Sequence, residues 1–384
     1  MFLLIFFWEQ RTFLQLIRRV TKQVQDNNLL NVTFDDIKAG EGKLLTPFKK
    51  LSSGKQGTHF YPTNILFGKL RPYLDNRLLA NFEGSAVGDF WVFEVKENSD
   101  SNFLFSLIQT SRFKYISNLS SGSKMPRSDW NLVSNSKFKV PGMNEQNKIG
   151  LLINALDYEN TLQQRKLKQL KSFKKGITQQ LINSKSDDWI EYNFLDLIEK
   201  IIDFRGKTPK KLKSTWSTKG HIALSALNVK QGYVDKNASV HFGNDDLYKI
   251  WMTGNELYQG QVLLTTEAPV GNVAQVPDNE KYILSQRVIA LVPNEKLITN
   301  DFLAFILSTP RVQNDLQRLA TGGTAQGISQ RSLKHLKITI PKNLENQIRI
   351  TNIVNNINEN LMDLDLQINN CKKIKKFLLQ NMFI

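Results

Sequence analysis

The sequence predicts an α/β (α+β) chain: two mixed α/β globules separated by two long helices, which pair as an antiparallel intramolecular coiled coil with an internal pseudo-two-fold repeat. Three observations lead there. The chain matches itself at offsets drifting from 181 to 201, short β-rich and helical runs recur in the same order in both halves, and one heptad stripe is written in each half.

The repeat comes first because it constrains everything else. "WEQRTFLQLI" (Trp8 to Ile17) aligns with "WIEYNFLDLI" (Trp189 to Ile198) at offset 181, and "NILFGKLRPYL" (Asn64 to Leu74) with "QVLLTTEAPVG" (Gln261 to Gly271) at 197. "FLFSLIQTSR" (Phe103 to Arg112) aligns with "FLAFILSTPR" (Phe302 to Arg311) at 199, and "QNKIGLLINAL" (Gln146 to Leu156) with "QIRITNIVNNI" (Gln347 to Ile357) at 201. Gly122 and Pro141 fall on Gly322 and Pro341 at offset 200. Preserved order and a monotonic drift are what loop insertions into a duplicated plan produce.

Within each copy, "ILFGKL", "DFWVFEV", "QVLLTT" and "RVIALVP" read as strands, whereas "NFLFSLIQT" and "DFLAFILST" read as helices, punctuated by Gly, Pro, Ser and Asn. A long helix follows. Its heptad stripe holds Ile149, Ile153, Leu156, Leu167, Leu170, Ile177 and Leu181 in the first copy. In the second it holds Ile350, Val354, Ile357, Leu361, Leu364, Ile368, Cys371, Leu378 and Met382. A stripe of this kind often marks a homodimeric coiled coil, but here a partner of matching phase is already in the chain at high local concentration. A two-fold axis across the pair makes the helices antiparallel, with the globules at opposite ends of a rod.

The chain of 384 residues has 51 Lys and Arg against 35 Asp and Glu, a net charge of +16, and a 41% apolar fraction that supports real cores. So basic a folded chain most often meets nucleic acid. A single cysteine excludes an intramolecular disulfide and points to a reducing compartment. The opening "MFLLIFF" is too short to span a bilayer and lacks the flanks of a signal peptide, so a soluble chain is expected.

Catalytic signatures are missing from the sequence. No Gly-Lys pair has the Gly five residues earlier that a phosphate loop needs, and there is no G-x-G-x-x-G, H-E-x-x-H or G-x-S-x-G. The Asn-Pro-Pro-Tyr of amino-methyltransferases is absent too. The four histidines stand apart from one another and from Cys371, so no metal site is expected, and Cys371 sits on the heptad stripe, where a buried thiol is expected.

If the globules read DNA, the readers belong on well-formed loops. Three regions qualify. One is the turn after a strand: "GKLRPYLDNR" with Lys69, Arg71 and Arg77, and "TTEAPVGN" with Thr265, Thr266 and Glu267. The second is a Gly/Ser loop: "SSGSKMPR" with Ser123, Lys124 and Arg127, and "TGGTAQGISQR" with Thr324, Gln326 and Arg331. The third, in the second copy alone, is "DFRGKTPKK" with Arg205, Lys207, Lys210 and Lys211. Any one of these can be a plain solvated charge. The weight rests on their divergence between copies while the framework repeats.

At this point the chain resembles the DNA-specificity subunit of type I restriction–modification systems. The resemblance is carried by the duplicated plan and by "WEQR", "ILFGKLRPYL", "RGKTP", "VLLTTEAPVGNVA", "SQR", "EQNKI" and "FKKGITQQLI", with the "SGS" and "TGG" loops. It implies target-recognition domains at 8–145 and 189–345, each reading half of a bipartite, asymmetric site in double-stranded DNA. It implies conserved spacer helices at 146–182 and 346–383 that set the spacer. Two methyltransferase (modification) subunits would dock there and restriction (translocase/nuclease) subunits would join. The subunit would be non-catalytic and without cofactor; S-adenosylmethionine, ATP and Mg²⁺ would belong to its partners in a prokaryotic cytoplasm. Extra apolar residues outside the stripe (Leu151, Leu152, Leu162 and Phe173) would either pack on the chain's own globules or dock those subunits. Two readings of another class compete: a stand-alone architectural or regulatory DNA-binding protein, and a basic adaptor that ignores DNA.

Overall fold

The structure, a computed structural model, describes residues 8–119, 125–183, 188–238, 241–322 and 326–383, with 49 and 181–183 described by backbone alone. Ser123, Lys124, Thr324 and the Leu181 side chain lie outside the described residues. The chain divides into two compact units, Met1–Lys168 with Asp363–Ile384, and Gln169–Met362. Each therefore takes part of both long helices.

In the first unit a four-stranded antiparallel sheet runs in the order Ile17–Val20, Phe90–Val95, Ile65–Gly68, Arg77–Leu79. Successive side chains of a strand point to opposite faces, and here both faces are apolar. Ile65, Phe67, Trp91 and Phe93 join a core with Phe13, Phe103 and Phe113, while Leu66, Phe90 and Val92 join a second with Val32 and Phe60. That two-sided burial is why these strands read as unbroken hydrophobic runs rather than alternating ones. Truncating a fully buried ring such as Phe93 to alanine costs about 3–5 kcal/mol. The second core lies under a mixed sheet ordered Gln23–Val24, Gly57–Phe60, Gly84–Ala86, Leu30–Val32, its last pair parallel. Glu9–Thr12 pairs antiparallel with Lys137–Val140 and closes the unit.

The second unit repeats this plan. Its sheet runs Ile198–Asp203, Val288–Pro293, Val262–Thr265, Val273–Gln275. Val262, Leu264, Ile289 and Leu291 face one core, and Leu263, Val288 and Ala290 face another. Trp189–Asn193 pairs with Lys337–Pro341 as Glu9–Thr12 pairs with Lys137–Val140. The second core sits under His241–Gly243, His221–Leu224 and Ile283–Leu284. The offset grows from 181 at the first strand of the sheet to 197 at the third, so most of the second copy's added length lies between them.

The same latch ties each long helix to its globule. Asp100 caps Ser101–Leu107 by accepting from Phe103 N–H, and Thr299 caps Asn300–Leu307 by accepting from Phe302 N–H. Gln146 Oε1 accepts from Asp100 N–H at 3.0 Å while its Nε2 donates to Pro141 O at 2.9 Å. Gln347 does the same to Thr299 N–H at 3.1 Å and Pro341 O at 2.9 Å. Both glutamines are buried, which is tolerable because their amides are satisfied at both ends.

The first long helix spans Met143–Asn183 and the second Leu344–Asn381, roughly 60 Å each at 1.5 Å per residue. In the first unit they pack antiparallel: Cys371 Sγ meets Leu156 O at 3.3 Å, Lys375 Nζ meets Asp157 at 2.6 Å, and Gln163 Nε2 meets Gln367 Oε1 at 3.3 Å. Position falls along one helix as it rises along the other. Ile153, Ile368 and Cys371 are buried in this unit, and Val354 and Ile357 in the other; Leu156, Leu167, Leu170, Ile177, Leu361, Leu364 and Leu378 are half-buried. Three members of the expected seam have a different role. Ile149 and Ile350 lie in the globule cores and Met382 packs against the first of them, because the first two turns of each helix and the end of the second close over those cores. No helix among the described residues is long and apolar enough to cross a membrane.

Candidate nucleic-acid interface

In the first unit the chain leaves strand Ile65–Gly68 and is clasped at once by two other loops. Lys69 N–H donates to Asp89 O at 2.9 Å, Lys69 O accepts from Ser128 N–H at 2.8 Å, and Arg71 N–H donates to Pro126 O at 2.8 Å. Leu70 and Arg127 form an isolated antiparallel bridge. Two sequence regions nearly 60 residues apart, the strand turn and the far side of the Gly/Ser loop, thus form one surface. The Asp89 carboxylate binds Lys69 Nζ at 3.5 Å and Arg127 Nη2 at 3.0 Å. Arg71 is exposed at φ +49°, and no carboxylate among the described residues pairs with it.

The second unit builds the same clasp at equivalent positions. Thr266 N–H donates to Arg287 O at 2.9 Å, Thr266 O accepts from Ile328 N–H at 2.9 Å, and Glu267 bridges Gly327. The backbone is held while the chemistry changes. Arg287 stands where the first unit has Asp89, Glu267 where it has Leu70, and Gly327 where it has Arg127. A different ion pair replaces the first unit's: Arg287 Nε lies 3.4 Å from Glu267 Oε2, at the position of Leu70. Ala268 repeats the left-handed backbone of Arg71, with φ +45°. Non-glycine residues pay about 1–2 kcal/mol for that conformation, so its occurrence twice reflects the scaffold rather than either side chain.

The loop present in the second copy alone joins this surface. Arg205 grips Asp203 through Nε at 2.8 Å and Nη2 at 2.5 Å, and its Nη1 donates to Ile328 O at 3.2 Å. Gln330 Nε2 donates to Asp203 at 2.9 Å, and Gln286 Nε2 to Lys207 O at 3.2 Å. Burial pushes the Asp203 carboxyl up, but hydrogen bonds from Arg205 and Gln330 outweigh it and hold the group below the usual carboxylate range. Lys207 donates to Trp251 O at 2.7 Å and lies over the Phe204 ring, where burial lowers its pKa. Lys210, Gln326 and Arg331 are exposed.

Three candidates are corrected by the structure. Arg77 opens strand Arg77–Leu79 and points inward, only 2% exposed. It pairs with Asp75 and donates to Gly40 O at 2.9 Å and Gln109 Oε1 at 3.1 Å. Thr265 and Thr266 lie at the buried end of a central strand, and Thr265 Oγ1 accepts from Asn272 N–H at 2.8 Å. All three side chains are buried within the unit rather than presented on the loop surface. Sequence reasoning missed the residues that organise the surface, Asp89, Asp203, Gln286 and Arg287. Asp89 and Arg287 share one repeat offset, 198, and differ in charge; that contrast was the available signal.

The described residues contain no group of three or more His, Cys, Asp or Glu placed to hold a metal ion. Burial, with Asp157 nearby, pushes the Cys371 thiol up, which disfavours the reactive thiolate.

A family-wide sequence comparison matches residues 76–172 and 186–371 to the type I restriction modification DNA specificity domain. Among solved structures, the chain is similar to the type I restriction–modification S subunit from M. genitalium, with a TM-score of 0.65 at 12% identity over 100% of this chain and 98% of that one. It also matches the HsdS subunit from Thermoanaerobacter tengcongensis, with a TM-score of 0.48 at 17% identity over 97% of this chain and 95% of that one. At such identities the first likeness speaks to the fold.

Proposed function

The chain belongs to the type I restriction modification DNA specificity family, and from that premise we propose that each clasped loop surface reads one half of a bipartite, asymmetric site in double-stranded DNA. As a specificity subunit it works with DNA and with the other subunits of a restriction–modification system. The observation that carries the two-reader account is the duplicated clasp: one backbone scaffold, with Asp89 exchanged for Arg287 and Arg127 for Gly327. Equal scaffolds with unlike side chains suit two half-sites of unlike sequence.

The remaining assignments follow the same reading. The paired helices set the spacer, and two methyltransferase subunits dock on them. Exposed apolar side chains outside the seam support docking: Leu151, Leu152 and Phe173 on the first helix, Met362, Leu366 and Phe377 on the second. Restriction subunits complete the complex. S-adenosylmethionine, ATP and Mg²⁺ serve those partners, this subunit has no catalytic step of its own, and the complex works in a prokaryotic cytoplasm.

Replacing residues 8–145 by the matching domain of a relative, then mapping methylation in cells, tests the two-reader account. One half of the methylated site should change while the other stays. If both halves change together, or neither does, the assignment of one half-site to each unit is wrong.

A further inference from the structure

We propose that Arg127, held by Asp89, is the guanine-reading side chain of the first unit; this rests on the specificity-subunit reading above. The backbone around it is pinned on both sides, by Arg71 N–H on Pro126 O at 2.8 Å and Ser128 N–H on Lys69 O at 2.8 Å. Its guanidinium is fixed in turn, with Nη2 on Asp89 Oδ2 at 3.0 Å, yet its side chain is 62% exposed. Of the five N–H donors of a guanidinium, the contact with Asp89 uses Nη2 alone, and among the described residues the other nitrogens have no hydrogen-bond partner, so a planar fork of donors is left for a ligand. Such a fork matches O6 and N7 of guanine in the major groove.

The carboxylate separates base reading from phosphate binding. An acid 3.0 Å from the guanidinium repels a phosphate, so it weakens a backbone anchor. A base edge is neutral, and there the acid orients the fork at little electrostatic cost. Asp89 is assigned the orienting role instead: it pairs with Arg127 at 3.0 Å and Lys69 at 3.5 Å, and its side chain is only 26% exposed. Arg71, exposed and without a carboxylate among the described residues, has the character of a phosphate arm instead. The second unit cannot make this contact, since Gly327 occupies the place of Arg127 and Arg287 that of Asp89.

The test uses the specificity subunit co-expressed with its methyltransferase partners in cells lacking other adenine methylation, with the methylated motif mapped for wild type, R127A, R127K, D89N and R71A. R127A should lose the guanine requirement at one position of the half-site assigned to the first unit, a roughly 5- to 150-fold loss of discrimination, with the other half-site intact. R127K keeps the charge without the fork and should relax the same position. D89N should relax it less, and R71A should lower methylation at all sites without changing the motif. Unchanged melting of the variants shows that folding is preserved. If R127A and R127K keep every position of the motif, Arg127 does not read a base and the proposal fails. A wild-type complex that methylates no bipartite motif overturns the specificity reading itself, and this proposal with it.

Discussion

Replacing Lys375 with methionine should destabilise the first unit, and replacing its partner as well should restore most of the loss. Lys375 Nζ lies 2.6 Å and 2.7 Å from the two Asp157 oxygens and 2.8 Å from Gln109 Oε1. The two charged side chains are 18% and 23% exposed. Removing one partner of a fully buried pair costs about 3–5 kcal/mol because the other charge is stranded; residual solvent access lowers this to about 2–3 kcal/mol here. Gln109 stays partly satisfied, since Arg77 Nη2 also donates to its Oε1, at 3.1 Å. For a unit of this size the loss corresponds to a fall in unfolding temperature of roughly 4–12 °C. In the double variant K375M/D157L, no charge is stranded and apolar side chains fill the space, so the net change should be under about 1 kcal/mol. Stranding either charge alone costs about 2–3 kcal/mol and the double change under about 1, so calorimetric unfolding of the four chains forms a double-mutant cycle with an expected coupling of about 3–5 kcal/mol. A double variant that loses the sum of the single losses would refute the stranded-charge argument, and a K375M chain as stable as wild type would show that the pair does not matter.

Lys174 is the repeat equivalent of Lys375, at offset 201, but the neutral Asn358 stands where the first unit has Asp157, and no carboxylate among the described residues pairs with Lys174. Burial lowers its pKa from the ordinary 10.5, so the unfolded chain binds more protons between the depressed value and 10.5. The contribution of this group to stability is therefore lowest below the depressed value and rises as pH climbs through that window. K174M should gain on the order of 0.5–1 kcal/mol at neutral pH, after allowance for solvent screening, and flatten the rise, read from denaturant midpoints across pH. Q347A removes the acceptor of Thr299 N–H and the donor to Pro341 O, costing about 2–4 kcal/mol; hydrogen exchange at 297–303 should quicken, and unchanged protection there would discount the latch. Binding of the assembled complex to its cognate duplex should weaken roughly 10³–10⁵-fold between about 50 and about 200 mM salt if six to ten phosphates are neutralised, and a flat titration would remove the electrostatic argument.

Much of the architecture was legible in the chain. The heptad stripe and the internal repeat are periodic and survive without knowledge of any contact, and strands such as Phe90–Val95 and Val288–Pro293 announce themselves because both their faces are buried. The basic character of the chain was legible, since net charge sums over residues regardless of their direction. Direction was not legible. Arg71 and Arg77 lie six residues apart in one basic run, yet one is exposed on a strained turn and the other is buried against Asp75 and Gln109. Strand register decides such cases, because a shift of one residue turns every side chain to the opposite face. Whether Thr265 and Thr266 face a groove or a core depends likewise on where the strand ends. The pairing of Arg127 with Asp89, 38 residues away, depends on two loops meeting over a third. Sequence therefore determined that the plan is written twice and that it is basic; tertiary structure decided which of the described charges stay exposed and which are paired, because non-local backbone hydrogen bonds place the loops and each carboxylate claims the cations it can reach.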